Sequence, residues 1–344
     1  MNLLFIIDNY YEIKPESNST LRLIHEAFSR GYLVGLVYPQ NLTIRNNVVY
    51  GFCKIIEEFK DKKVPANFST FKSKTKLKEQ LLPLRGFDAI FVRKDPPIDS
   101  LMLNFLDSIS EDILIINSVE GMRKANNKLY TSTFHDPDNK FLPVTYVSKN
   151  KEYLKSIIKD SKTNKMILKP LDGYGGSGVI VLEKGATSNI SSLLDYYIDG
   201  SSNKNYVILQ EYVEGADRGD VRVLMLNGEA IGAMKRVPSD GDIRSNVHAG
   251  GEAVKHTLTK QEIDICKKIG SKLIEDGLLF VGIDIINGKL IEVNVLSPGG
   301  IVNINRLNKT KLQKKILDFV EDRVREKEIS INRRLASKEA IKNA

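Results

Sequence analysis

The chain has 344 residues, 51 Lys and Arg against 43 Asp and Glu, and 42% hydrophobic residues, which describes a well-cored globular protein of two or three domains and excludes disordered and collagen-like classes. No apolar run approaches the ~20 residues that span a bilayer, and the start, MNLLFIIDNYYE, lacks the basic region of a secretory signal. Cys53 and Cys266 are the only cysteines, so a disulfide framework and a Cys-rich metal site are excluded and a cytoplasmic setting is expected. The formal net charge of +8 is spread along the chain, with one modest basic cluster over 323–342 and neither Trp nor a Cys/His finger. Such a balance suits nucleotide phosphates or carboxylates; no nucleic-acid or membrane partner is expected.

In chain order, an apolar strand is expected over 3–8, a helix over 19–30 with Leu21, Ile24 and Phe28 on one face, a stop at Gly31, and a strand over 32–39. Short strands at 88–93 and 113–117 flank a helix at 100–109. Strands alternating with helices predict a parallel, doubly wound sheet, with a ligand site at the strand ends. After about residue 119 the pattern changes. A helix at 151–160 is followed by strands at 165–170, 179–183 and 206–213. Strands at 221–226 and 230–235 flank Asn227-Gly228, and strands at 280–286 and 290–295 flank Asn287-Gly288, both hairpin signals. Thr259 to Glu262 reads as a capping box opening a helix that ends near Gly277. The expected class is α/β followed by α+β. Domains are expected at 1–119 and 120–325, the latter in lobes of about 120–210 and 211–325, with a basic, helical or frayed tail at 326–344.

Gly173-Tyr174-Gly175-Gly176-Ser177-Gly178 matches G-x-G-x-x-G. The dinucleotide reading needs a helix immediately afterwards, but VIVLEKG follows, which is a strand. A glycine loop between two strands suits a flap whose backbone N–H groups close over phosphates, with the Lys169 ammonium beside them. A glycine-rich hairpin with no ligand is the plainer alternative.

Asp284, Glu292 and Asn294 lie on the two arms of the second hairpin, where hard oxygen ligands suit Mg²⁺. A two-residue loop would put the carboxylates on opposite faces. A three-residue loop, Asn287-Gly288-Lys289, with Gly288 left-handed as a bulge, would set Asp284 opposite Glu292, and this is the register expected. The alternative is a solvated hairpin with ordinary exposed acids.

Lys128, ILKPLDGYGGSG, LQEYVEG, DVRVLMLNGEAIGAMKRVP, FVGIDII and IEVNVLSPGG occur in that order, and the series resembles an ATP-grasp ligase. VRKDPP at 92–97, NSVEGMRKANNKLY, KPLDG and RSNVHAGG make the chain similar to the bacterial glutathione synthetase family over roughly residues 1–320. The resemblance implies an N-terminal parallel-sheet, Rossmann-like (pre-ATP-grasp) domain followed by a two-lobed ATP-grasp domain. It implies a ligase that phosphorylates the cysteinyl carboxylate of γ-glutamylcysteine with ATP and lets glycine displace the phosphate.

By the same resemblance Lys128 and Lys169 hold ATP phosphates, under a flap of Gly173, Tyr174, Gly175, Gly176 and Ser177. Gln210, Glu211, Tyr212 and Val213 form the hinge that meets adenine, with Asp220 nearby. Arg222 stabilises the transferred phosphate or oxyanion, and Arg244 and Asn246 belong to a loop beside the reacting centre. Asp284, Glu292 and Asn294 hold two Mg²⁺ (or Mn²⁺) ions. Arg93 is a candidate carboxylate clamp, with Ser19 and Thr20 at a helix N-terminus as a second one, although Arg93 could instead pair with Asp95 and fix the turn before Pro96. Arg236 is as compatible with a structural role as with a functional one. The family pattern runs Ser-Pro-Thr where this chain has Ser297-Pro298-Gly299-Gly300, so a ligase using another amine is the alternative, and a non-catalytic ATP-binding module a second. A homo-oligomer is expected.

Overall fold

The computed structural model describes residues 1–61, 63–173, 176–200, 205–239 and 250–342. The chain divides into two compact units. One joins Met1–Arg123 to Ile274–Phe280 and Val295–Ala344, and the other joins Lys124–Leu273 to Val281–Asn294. Boundaries drawn along the sequence at 119 and 325 differ from these, because the chain crosses back at 274 and 295 with no change of composition to mark it.

The first unit is built on β1 (Asn2–Ile6), β2 (Leu33–Val37), β6 (Ala89–Val92) and β7 (Leu114–Ile116), paired in parallel in the order β2-β1-β6-β7. Leu3 to Ile6 and Ala89 to Val92 are buried throughout, as strands covered on both faces require. α1 (Ser19–Ser29) follows β1. The Asn18 side chain accepts from the Leu21 amide at 2.8 Å to cap it, and Gly31 ends it at φ +78°. Three strands escaped the sequence reading: β3 (Leu42–Arg45), β4 (Val48–Ile56) and β5 (Leu77–Pro83), an antiparallel extension in which β4 pairs with β2, β3 and β5. The β3–β4 turn uses Asn46 and Asn47, both left-handed at φ 50° and 63°. That is a primed-turn geometry with a weaker sequence signature than Asn-Gly. α2 (Phe68–Lys74), α3 (Ser100–Asp107) and α4 (Val119–Ala125) complete this stretch.

The second unit contains two antiparallel sheets. β8 (Thr145–Ser148), β9 (Lys165–Pro170), β10 (Ile180–Glu183) and β11 (Val207–Glu211) form one, in the order β10-β9-β11-β8. α5 (Lys151–Asp160) and α6 (Thr187–Asp199) cover one face, where Leu154, Ile158, Leu194 and Ile198 pack with Met166, Leu168, Leu182 and Leu209. β12 (Asp220–Leu226), β13 (Glu229–Val237), β14 (Glu252–Lys255), β15 (Phe280–Ile286) and β16 (Lys289–Asn294) form the other, in the order β14-β13-β12-β15-β16. α7 (Lys260–Glu275) opens on the expected capping box: Glu262 N–H donates to Thr259 Oγ1 at 3.2 Å and Thr259 N–H to Glu262 Oε2 at 2.7 Å.

The chain then returns to the first unit as α8 (Ile301–Asn308) and α9 (Leu312–Lys342). α9 buries Ile316, Leu317, Val320 and Val324, and Arg30 of α1 meets its Asp318 and Glu321 at 2.8 and 2.7 Å. From 326 to 342 the expected tail is thus the continuation of one 31-residue helix. No helix among the described residues is long and apolar enough to cross a membrane.

Asn117, after β7, binds the separate segments of the first unit. Its Nδ2 donates to the Phe280 and Val295 carbonyls, both at 2.8 Å, and its Oδ1 accepts from Phe280 N–H at 2.7 Å. Asn117→Ala deprives three buried backbone groups of their partner and is expected to cost about 2–4 kcal/mol in denaturant unfolding. A loss below about 0.5 kcal/mol would contradict that role.

Candidate active site

Strand alternation builds the site. In the first sheet of the second unit, Met166 and Leu168 point to the helices, so Ile167 and Lys169 point the other way, joined by Ile208 and Gln210 of β11 through the register Ile208↔Lys169 and Gln210↔Ile167. That opposite face borders a cleft of about 930 Å³, counting its open mouth, which also takes its lining from Asp220, Arg236, Asp284, Ile286, Ile291 and Glu292 of the second sheet. Gly173, Gly176 and Ser177 of the flap, Glu211, Tyr212 and Val213 of the hinge, and Lys128 line it as well. Glycine is required at 173, where a Cβ would meet the Ser177 carbonyl oxygen at 2.9 Å and a Pro170 ring carbon at 2.8 Å. Of the expected site residues, Tyr174, Gly175, Arg244 and Asn246 lie outside the described residues.

The charged centre is Asp284. Its Oδ1 accepts from Arg222 Nε at 2.5 Å and Arg236 Nη2 at 2.9 Å, and its Oδ2 from Arg222 Nη2 at 3.0 Å and Asn294 Nδ2 at 3.1 Å. Arg236 also forks onto Asp220 at 2.6 and 2.5 Å. Burial pushes the Asp284 carboxyl up, but the two guanidinium charges and their hydrogen bonds outweigh it and hold it at about 2. Burial works against the Arg236 charge, and the Asp284 and Asp220 carboxylates more than reverse that, raising its value. Arg236, left open by the sequence, thus belongs to the site; its signal was a basic residue inside a strand of the core sheet.

Asp284 stands directly opposite Glu292. The register is the expected one, but its cause differs. The loop is the two-residue turn Asn287-Gly288, at φ 43° and 72°, closed by Ile286↔Lys289, and the extra residue is a bulge at Ile291, because Ile285 pairs with Leu290. The bulge brings both Ile291 and Glu292 to the cleft lining. Among the described residues no group of three or more His, Cys, Asp or Glu is placed to hold a metal. Two carboxylates and one amide on adjacent strands are too few anionic ligands for an all-protein cage, but they fit an Mg²⁺ ion whose remaining positions come from phosphates and water.

Lys128 bonds the Gly173 carbonyl and lies 3.6 Å from Glu292. Lys169, 5% exposed, donates to Gln210 Oε1 at 3.0 Å, and burial lowers its value to about 8. Gln210 in turn donates to Thr145 Oγ1 at 2.7 Å, a residue the sequence reading missed because β8 carries no signal in it.

The other seven expected residues belong to the first unit. Arg93, 5% exposed, donates from Nε to Thr20 Oγ1 at 3.0 Å and from Nη2 to the Pro298 carbonyl at 3.1 Å. The alternative of an Arg93–Asp95 pair fails, since neither bond goes to Asp95. Arg93 Nη1 is buried without a partner, and burial lowers the guanidinium to about 10. Ser19 Oγ accepts from the Gly300 and Ile301 amides, both at 3.2 Å, so it ties α1 to the start of α8 and keeps only its hydrogen for a ligand. Ser297 is left-handed at φ 42°, and Pro298 and Gly299 lead into Gly300 at φ 128°.

Residues 1–123 match the model of the prokaryotic glutathione synthetase N-terminal domain, and residues 127–309 that of the prokaryotic glutathione synthetase ATP-grasp domain. The chain is 33% identical to a glutathione synthetase of Synechocystis sp., over 93% of this chain and 99% of that protein. It is 31% identical to one of Agrobacterium fabrum, over 93% and 96%. Among solved structures, D-cycloserine synthetase superposes with a TM-score of 0.61 at 14% identity, covering 91% of this chain and 99% of that one. A RimK domain ATP-grasp protein from Sphaerobacter thermophilus does so at 0.60 and 14%, covering 93% and 99%; both likenesses concern the fold.

A lysine held near 8 in the fold and near 10.5 when unfolded lowers stability wherever the fold must carry it charged. That cost is complete below about pH 8, shrinks as the fold releases its proton above 8, and is gone above 10.5. Lys169→Met is therefore expected to be more stable than the natural protein at pH 7, by up to about 3 kcal/mol, with the gap closing toward pH 10.5. Paired denaturant titrations at pH 7 and pH 10 check this; a gap that stays constant with pH would refute it.

Proposed function

The chain belongs to the prokaryotic glutathione synthetase family, and from that membership we propose that it joins γ-glutamylcysteine to glycine with ATP, releasing glutathione, ADP and phosphate. The observation that carries this is one cleft lined by two lysines, a glycine flap, a hinge strand and a carboxylate pair, with Arg222 bonded to Asp284 of that pair. Phosphoryl transfer needs positioning and charge neutralisation rather than a nucleophilic side chain, and these groups supply both.

The dipeptide carboxylate oxygen attacks the γ-phosphorus, the bond to the bridging oxygen breaks, and ADP leaves. The glycine amine then attacks the acyl carbon, the amide bond forms, and phosphate leaves. Lys128 and Lys169 hold the phosphates as point charges, while the planar fork of Arg222 stabilises charge on the transferred group. Asp284, Glu292 and Asn294 would hold Mg²⁺, two ions in our reading, whose charge offsets that of the β- and γ-phosphates when bound. In the first unit, Thr20 and the Pro298 carbonyl fix the Arg93 guanidinium, and a substrate carboxylate would satisfy its unpartnered Nη1. The reading extends to a cytoplasmic homo-oligomer, which sedimentation would test.

ADP release with MgATP and γ-glutamylcysteine, measured against glycine and a panel of other amines with product mass recorded, tests the reaction. Glycine-dependent formation of glutathione is expected; turnover with another amine alone would move the assignment to a different ligase, and no amide product with any amine would refute both. Arg93→Met is expected to raise the KM for γ-glutamylcysteine at least about tenfold, the loss of one charge-assisted contact, with ADP affinity unchanged. An unchanged KM would remove Arg93 from the substrate pocket.

A further inference from the structure

Three adjacent strands, β8, β11 and β9, carry Thr145, Gln210 and Lys169 on the face that borders the cleft. Gln210 stands directly opposite Thr145, and one diagonal step from Lys169, which pairs with Ile208. Thr145 Oγ1 donates to the Pro143 carbonyl at 2.8 Å, which commits the only hydrogen of the hydroxyl. Its oxygen is then an acceptor for Gln210 Nε2, at 2.7 Å. With the amide nitrogen turned toward Thr145, Oε1 faces Lys169 and accepts from Nζ at 3.0 Å. The reversed amide would set NH₂ against an ammonium, and a carbonyl against a hydroxyl with no hydrogen to give. Both ends therefore select the same orientation, and the chain of bonds runs one way, from ammonium and amide to hydroxyl to backbone.

Gln210 and Lys169 are each 5% exposed, so neither can exchange these bonds for water. The two cleft lysines are treated differently. Lys128 has the Glu292 carboxylate at 3.6 Å, whereas that carboxylate acts on Lys169 only through space and the acceptor bonded to Lys169 is neutral. A carboxylate at 210 would accept the same hydrogen bond and cancel the charge; an amide accepts it and leaves the charge whole. An ammonium also has three hydrogens, and among the described residues one of the three is bonded.

We propose that Gln210, locked by Thr145, is the positioning residue of Lys169, a neutral bracket that aims its ammonium at the nucleotide phosphates. This rests on the nucleotide reading of the cleft. It departs from the hinge role expected of Gln210, in which the backbone would act and the side chain would be incidental.

A double-mutant cycle separates positioning from packing. MgADP affinity is measured by calorimetry on the full chain for the natural protein, Gln210→Leu, Thr145→Val, Lys169→Met and both combinations with Lys169→Met. Gln210→Leu is expected to weaken MgADP roughly tenfold and Thr145→Val by less, with the KM for γ-glutamylcysteine unchanged in both. In the Lys169→Met background each should add less than about twofold, because the group they position is gone. Unchanged affinity in both single variants, or losses that add fully to that of Lys169→Met, would overturn the proposal. If Gln210→Leu does not fold, the Thr145→Val arm decides alone by the same criteria. A natural protein without MgADP affinity would refute the proposed function itself, which is a different result.

Discussion

Asp284 is a fully buried carboxylate, and the second unit is arranged around making that tolerable. An isolated ionised carboxylate in an apolar interior is among the most costly groups a fold can contain, and pairing recovers the cost only when every lone pair finds a donor. Here four donors reach its two oxygens: three from Arg222 and Arg236, on the neighbouring strands β12 and β13, and one from Asn294 on β16. The arginines are balanced in turn, since Asp220 takes a fork of Arg236. Two arginines and two aspartates balance in charge. Glu292 lies beside Lys128 at the cleft, 3.6 Å away. Any cation that took a share of Asp284 would free part of the Arg222 fork, which now spans both its oxygens.

The positions of these groups follow from sheet registers rather than from loops. Along β9 the alternation Met166, Ile167, Leu168, Lys169 writes a core residue and a cleft residue in turn, so packing Leu168 against α5 and α6 also aims Lys169. The one irregularity is equally informative. Without the bulge at Ile291, the tight turn at Asn287-Gly288 would leave Asp284 and Glu292 on opposite faces. The extra residue restores the pairing and turns an apolar side chain into the cleft beside the acid. A tight turn and a useful register conflict here, and the strand absorbs the difference.

That conflict also marks how far the sequence could be read. The hairpin, the left-handed Gly288 and the facing of the two acids were legible from Asn287-Gly288 and residue spacing. The place of the bulge was not, because a loop bulge and a strand bulge give the same facing. The parallel centre of the first unit was legible from its all-apolar strands, whereas β3 to β5, half exposed and joined by Asn-Asn, have neither continuous hydrophobicity nor a strong turn signal. Gln210 was legible as a cleft residue, but the direction of its side-chain hydrogen bonds was not: it is set by Thr145 and Pro143, 65 and 67 positions away in sequence, which no local pattern encodes. Arg236 was ambiguous for a related reason, since an arginine before a proline looks the same whether or not two aspartates wait across the sheet.

Burial acts oppositely on two kinds of cation in this protein, and the contrast identifies where anions belong. Arg236 is buried with carboxylates on both sides, and its charge is reinforced. Lys169 and Arg93 are as deeply buried, but bonded to a neutral amide in one case and to a hydroxyl and a carbonyl in the other, and burial lowers both, to about 8 and about 10. A fold selected only for stability would replace such groups by apolar ones or pair them with an acid. Keeping a cation desolvated, with no acid bonded to it and only the more distant field of Glu292 or Asp95 to offset burial, makes physical sense where an anionic ligand completes the pair, because the desolvation is then already in place when the ligand arrives. By that criterion Lys169 in the second unit and Arg93 in the first are the two positions where an anionic ligand would offset the cost of a buried cation.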